Sequence, residues 1–146
     1  MPTLSELVNE VVAVLSILVP AQAEALAAEV AHAFEQSRIT IPFVDCNAIA
    51  PHTTERIRAT IVAAGARFID GSIIGPPPGR GAPPRLYLSG ADAKSLQVLA
   101  SSEMAVKVIS DRVGDASSIK MCYAALTKGT TTLHVALLAV ARALGV

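Results

Sequence analysis

Lys120 is the residue of this chain best placed, by its neighbours, to do chemistry. It lies in "GDASSIKMCYAALTKG" (114–129), a run that reads as a helix, with Ala116, Ser117, Ala124 and Thr127 around it. Such small neighbours leave open space beside an ammonium group. A lysine in a desolvated pocket has a lowered pKa and can exchange protons near neutrality. The competing reading is a lysine whose stem covers apolar surface while its head stays in water. Lys128 follows eight residues later, about 80° round the helix and about two turns along it.

Other polar residues cluster where apolar runs end, in "LVPAQ", "VDCNAIAP" and "IDGSIIGPPPG". Asp45 and Asn47 suit a turn in which side chains bond their own backbone, and Asp70 suits a turn or a cap. Ser72, Ser117 and Ser118 have no histidine nearby to activate them, and His32, His52 and His134 lack a triad-like setting. Cys46 and Cys122 form no CxxC pair, and no histidine pair has metal-ligand spacing. Both cysteines are expected to be buried, reduced thiols, and no metal is expected.

The elements that must position these groups follow from the apolar period. "SELVNE" has the look of a helix tail. The β-branched run at 11–19 suits a strand buried on both faces. A helix opens at Pro20, since proline is favoured in a first helical turn. Strand 39–46 follows, with Pro42 a mark against a fully central position. The next helix has Pro51 near its start and Gly65 as its stop. "RFIDGSII" is a third strand, and "GPPPGRGAPP" (75–84) a stiff irregular loop. "RLYLSG" alternates like a strand, a short helix opens near Asp92, and "MAVKVIS" is another strand. The last helix starts near Asp115 and runs about 30 residues, with Ile119, Cys122, Leu126, Leu133, Leu137, Val140 and Leu144 as its stripe. Strands alternating with helices predict an α/β sheet, at least partly parallel. Its ligand site would lie beyond the carboxyl ends of the strands.

Composition narrows the function classes. The 146 residues are 52% hydrophobic and only 16% charged, with a mean hydropathy of +0.52. A free-standing soluble domain is roughly a quarter charged, so surface hidden against a partner is expected. The longest uncharged runs, 11–23 and 129–141, are 13 residues each, short of the about 20 that a membrane span needs. Twelve basic and twelve acidic residues cancel and aromatics are 3%, which gives nucleic acid neither an electrostatic footprint nor a stacking surface. The first ten residues hold Glu6 and Glu10 and no basic residue, so no secretory signal is expected and a cytoplasmic protein is.

"VDCNAIAP", "FIDGSIIGPPP", "RLYLSG" and "GDASSIKMCYAALTKG", in that order, resemble the β-hydroxyacid dehydrogenases, 6-phosphogluconate dehydrogenase-like NAD(P)-dependent oxidoreductases. The resemblance covers residues 5 to 146. It implies a Rossmann-type α/β fold, NAD or NADP as cofactor, and a small-molecule hydroxy acid as substrate. "DCNAIAP" resembles the family's D-x-S-x-x-x-P, which puts Asn47 near both nicotinamide and substrate. "LSILVP" resembles the strand end that lays Leu18, Val19 and Pro20 along the cofactor. "DGSIIGP" resembles D-A-P-V-S-G-G and makes Gly75 a backbone contact to the substrate. Lys120 falls on the family's catalytic lysine, which handles the hydroxyl proton during hydride transfer. Three positions depart from the pattern: Ile74 replaces a substrate-binding serine, Pro76 a glycine, and Ala124 an asparagine, for which Lys128 is a candidate substitute.

The family's strand–GxGxxG–helix, which holds the pyrophosphate, is missing. Residues 1–112 therefore read as the C-terminal half of the dinucleotide-binding domain. Residues 113–146 read as the start of the long helix leading to a helical domain. The expectation is an NAD(P)-dependent oxidoreductase, inactive as this truncated chain. A non-catalytic module that forms a homo-oligomer through the apolar C-terminal helix is the alternative from another class. A complete small doubly wound domain for some other ligand is a third.

Overall fold

The computed structural model describes residues 3–77, 79 and 81–146. Pro78 and Arg80, in the expected stiff loop, lie outside the described residues. The elements in chain order are α1 (Leu4–Leu7), β1 (Val14–Ser16), α2 (Ala23–Ser37), β2 (Phe43–Asp45), α3 (Pro51–Ala63), β3 (Phe68–Ile74), β4 (Arg85–Ser89), β5 (Ala105–Ser110) and α4 (Asp115–Leu144). Two 3-10 segments, Pro20–Gln22 and Ala93–Leu99, complete the list.

One five-stranded sheet runs in sequence order, β1-β2-β3-β4-β5. The first three strands are parallel, β4 is antiparallel to β3, and β5 is parallel to β4. The expected partly parallel α/β sheet is thus present. One face packs on the helices through Val30, Phe34, Phe43, Ile57, Ile61 and Phe68. Phe43 and Phe68 stack across β2 and β3 with ring centroids 6.2 Å apart. The other face buries Val44, Ile69, Leu86, Leu88 and Val106 under Leu96 of the second 3-10 segment.

Several details correct the sequence reading. The strand expected over 11–19, buried on both faces, shrinks to Val14–Ser16. Among the described residues β1 pairs only with β2, so it is an edge strand, and Val12 is 89% exposed. Pro42 was a mark against a central β2, yet β2 lies between β1 and β3. The proline precedes the strand, and only its carbonyl is used, accepting from Val14 N at 2.9 Å. "SELVNE" is no helix tail. Its four-residue helix has its own start, a capping box in which Thr3 and Glu6 satisfy each other's backbone N–H. Gly65 follows α3 with φ +80°, as a helix stop should.

The feature that positions the site is a polar row across the sheet. Registers pair Ser16 with Asp45, Asp45 with Asp70, Asp70 with Ser89 and Ser89 with Ser110. Paired residues share a face, so this row lies on the helix-covered face, one step beyond the Phe43–Phe68 layer. The start of α4 sits on it. Asp70, wholly buried, accepts from Gly114 N and Ser117 N at 3.0 Å each. It also accepts from Ser117 Oγ at 2.6 Å and Ser89 Oγ at 2.9 Å. Ser89 Oγ in turn accepts from Ala116 N at 3.0 Å. Gly114, with φ +96°, supplies the left-handed entry to the helix.

A helix start has unpaired N–H groups and a partial positive charge, and a carboxylate answers both. Here the cap comes from a strand over 40 residues earlier in the chain. Asp70→Ala would leave Gly114 N and Ser117 N buried without acceptors. The expected loss is roughly 3 kcal/mol or more of folding stability, measurable by urea unfolding; a loss under about 1 kcal/mol would show that the cap is dispensable.

Candidate active site

The chain leaves β2 at Asp45 and turns at once. Asp45 Oδ1 accepts from Asn47 N at 2.8 Å, the side-chain-to-backbone turn that an aspartate favours. Asn47 then reaches across to β1. Its Oδ1 accepts from Leu18 N and its Nδ2 donates to Ser16 Oγ, both at 2.8 Å. The side chain is buried and staples the segment after β1 to the segment after β2. Leu18 is thereby held half-buried, with Val19 and Pro20 exposed beside it.

Lys120 projects from the second turn of α4, and its Nζ donates to the Cys46 carbonyl at 3.2 Å. The side chain is partly buried, and loss of solvation holds its pKa below the ordinary lysine range, with the Asp45 carboxylate opposing the shift. Burial pushes the Cys46 thiol up to about 12, so it stays protonated and inert near neutrality. Cys122 departs from expectation, being exposed on α4. Among the described residues, no group of His, Cys, Asp or Glu could hold a metal ion.

Beside Lys120 lies a crevice of about 430 Å³, lined by Ala48, Ile73, Ile74, Gly75, Met121, Tyr123, Ala124, Thr127 and Lys128 as well as Lys120 itself. Three of the sequence candidates, Lys120, Lys128 and Gly75, therefore share one opening. Gly75 has φ +135°, and a Cβ there would stand 2.9 Å from Pro84 Cα, so the backbone bends where only glycine fits. Ile74 and Ala124 make the walls apolar at the two positions where the family pattern has a serine and an asparagine. The lysines, about 12 Å apart along the helix axis, are the only charged residues in the lining among the described residues.

Pro20 lines a second crevice of about 410 Å³ with Ala21, Glu24, Ile49, Ala50, Thr53 and Arg56. Ala48 borders both openings. Asn47 lines neither; it lies beneath the ridge between them. The sequence reading missed Ser16, Thr54 and Ser89 as members of the supporting network, in which Thr54 Oγ1 lies 3.1 Å from Ser117 Oγ. A signal for most of it was present. Each strand contains an apolar pair closed by serine or aspartate: "VLS", "FVD", "FID", "YLS" and "VIS".

α4 is the one helix among the described residues long and apolar enough to cross a membrane, with a mean hydropathy of 1.2 over its best 18-residue window. The count of uncharged runs had excluded such a segment. Lys128 sits within a stretch that is otherwise uncharged up to Arg142, so it splits one long run into two short ones. Its first turn, with Ala116 and Ser117 buried, belongs to the α/β unit.

No protein-family model and no curated protein matches the chain. Solved structures do. A conserved protein of unknown function, described as structurally similar to 3-hydroxyacid dehydrogenases, is 30% identical over 90% of this chain and 48% of its own, with a TM-score of 0.70. An imine reductase from Bacillus cereus aligns over 100% of this chain and 51% of its own at 17% identity and a TM-score of 0.82. An imine reductase from Myxococcus stipitatus in complex with NADP+ aligns over 99% and 51% at 20% identity and a TM-score of 0.78. The chain spans about half the length of each. The resemblance read from the four ordered motifs is thus borne out in the fold, which this chain shares with a 3-hydroxyacid dehydrogenase-like structure and with imine reductases.

Proposed function

We propose that this chain carries the substrate side of an NAD(P)-dependent oxidoreductase acting on a hydroxy acid, with Lys120 as its proton-transfer residue. The observation that carries the reading is Lys120 itself. Its ammonium group is anchored on the Cys46 carbonyl at the wall of a crevice, on the side of the sheet where the parallel strands β1 and β2 end.

The fit to a nicotinamide dinucleotide is partial. Leu18, Val19 and Pro20 present apolar surface for the nicotinamide end, and Asn47 fixes that segment through Leu18 N. No glycine-rich strand–turn–helix is present in the sequence to hold a pyrophosphate. When bound, the dinucleotide supplies the hydride-accepting ring. Lys120 takes the hydroxyl proton as the carbinol carbon is oxidised, and returns it in the reverse direction. Lys128 and the Gly75 backbone hold the substrate carboxylate. The apolar wall of Ile73, Ile74, Met121 and Ala124 selects a substrate with an apolar body over a short polar one. A cytoplasmic location, with neither membrane nor nucleic acid as partner, accompanies this reading.

The test begins with titration of the chain by NADH and NADPH, followed by nucleotide fluorescence. Saturable micromolar binding supports a cofactor site within reach of these residues; no binding removes the site from this chain by itself. In the protein that turns over, Lys120→Met is expected to lower kcat by about 100-fold or more, and near-normal turnover would take Lys120 out of the mechanism.

A second reading rests on α4 beyond its packed turns, where Leu133, Leu137, Leu138, Val140 and Leu144 are all more than half exposed. Each is worth roughly 1.5–3 kcal/mol when buried, enough to drive association of two copies. Sedimentation is expected to show a concentration-dependent dimer that Leu137→Glu weakens; a monomer at all concentrations would end that reading.

A further inference from the structure

The proposed chemistry leaves one buried carboxylate without a task. Asp45 is 2% exposed. Its Oδ1 accepts from Asn47 N, but its Oδ2 is buried with no hydrogen-bond partner. A bare carboxylate oxygen in the interior is costly unless a charge or a proton compensates it. The neighbouring strand does not provide one. Asp70, opposite Asp45 in the register, is itself an acceptor with four donors already committed to it. Ser72, two residues further along β3 on the same face, also has a buried hydroxyl without a partner.

Among the described residues the cation whose charge acts on Asp45 is Lys120, whose Nζ bonds the carbonyl of the residue next to it. At this spot β2 contributes Asp45, and the residue after it the thiol Cys46, whose Sγ turns to the opposite face of the sheet against Gly71. β3 contributes Asp70, α3 the neutral hydroxyl of Thr54, and α4 contributes Lys120.

We propose that Asp45 is a positioning residue for Lys120, the buried counter-charge that lets the lysine gain a proton from substrate and give it back. The proposal rests on the reading of Lys120 as the proton-transfer residue for its purpose, though not for its measurement. Burial alone drives Lys120 toward the neutral amine, which can accept a proton but holds it poorly. When the hydroxyl proton moves to the Nζ lone pair, the O–H bonding electrons would form the carbonyl, the hydride acceptor being the nicotinamide that a bound dinucleotide would supply. Burial pushes the Asp45 carboxyl above its ordinary range, while the hydrogen bond from Asn47 N and the Lys120 charge draw it back, so the ammonium so formed favours the ionised carboxylate and is stabilised by it in turn. In the opposite direction the proton returns to the carbonyl oxygen as hydride arrives.

Lys120 can be titrated in the whole chain by trace labelling with acetic anhydride at a series of pH values. Mass spectrometry reads the label, with exposed Lys94 and Lys107 as internal references. Asp45→Asn keeps the acceptor for Asn47 N and removes the charge. It is expected to lower the Lys120 midpoint by about one pH unit while the references stay fixed; an unmoved midpoint overturns the proposal. The reciprocal measurement covers the case in which that variant fails to fold. Lys120→Met, at a partly exposed helix position, is expected to raise the titration midpoint of the Asp45 carboxyl carbon in NMR by a similar amount, because coupling between two sites is mutual. An Asp45 that titrates identically with and without Lys120 overturns it as well. Normal turnover in Lys120→Met would remove the catalytic reading and leave both titrations standing. Unmoved midpoints in an enzyme that requires Lys120 would remove Asp45 alone.

Discussion

One buried carboxylate determines where the candidate site can be. Asp70 gathers two backbone N–H groups at the start of α4 and two hydroxyls, from Ser89 and Ser117. A carboxylate taken out of water needs several donors to offset its lost hydration, and a helix start has donors that need an acceptor. Each solves the other's problem. The consequence reaches along α4, since fixing Gly114 and Ser117 fixes the helix axis and its rotation. Lys120 is three residues beyond Ser117, close to one turn, and so it is directed toward the end of β2.

The same logic extends through the polar row. The Phe43–Phe68 layer buries apolar surface under α2 and α3, and a continuous apolar sheet would have offered α4 only more of the same. Greasy contact is non-directional and would leave the helix free to slide or rotate. Hydrogen bonds from Asp70 and Ser89 impose direction. Asn47 does for the β1 segment what Asp70 does for α4, with two 2.8 Å bonds that hold Leu18 against the β2 turn. A small number of satisfied buried polar groups thus places both walls of the candidate site, while the hydrophobic clusters provide the bulk of the burial.

Much of this was legible in the sequence. The strand and helix order, the long last helix and its start near Asp115 all follow from period changes and from glycine and proline punctuation, because those signals are local. The family resemblance rested on ordered motifs and pointed to the correct fold. The polar row was harder to see. It depends on register, a relation between strands, and no single strand reveals that its serine or aspartate faces another across the sheet. Asp70 was correctly weighed as a cap, but a tertiary cap gives no local sign of which helix it serves. The short β1 was misjudged for a related reason. Its β-branched run has the composition of a central strand, and only the arrangement of neighbours decides whether a strand is central or at the edge.

Asn47 illustrates how a residue's role changes once its neighbours are known. Resemblance put it beside nicotinamide and substrate, yet both ends of its amide are committed to β1. It can still govern the segment proposed to lie along the cofactor, because Leu18, Val19 and Pro20 follow directly from the bond it makes to Leu18 N. A contact role and a positioning role make different demands on the side chain. The first needs an open face toward the crevice, the second needs burial and fixed partners, and this side chain has the latter. In the crevice the opposite holds for Lys128, which is exposed and lines the opening with no side-chain partner among the described residues. The division follows from solvation. Asp70 and Asn47, which hold the frame, are buried and fully committed to hydrogen bonds, whereas a group that meets a charged ligand must keep its own charge hydrated until the ligand arrives.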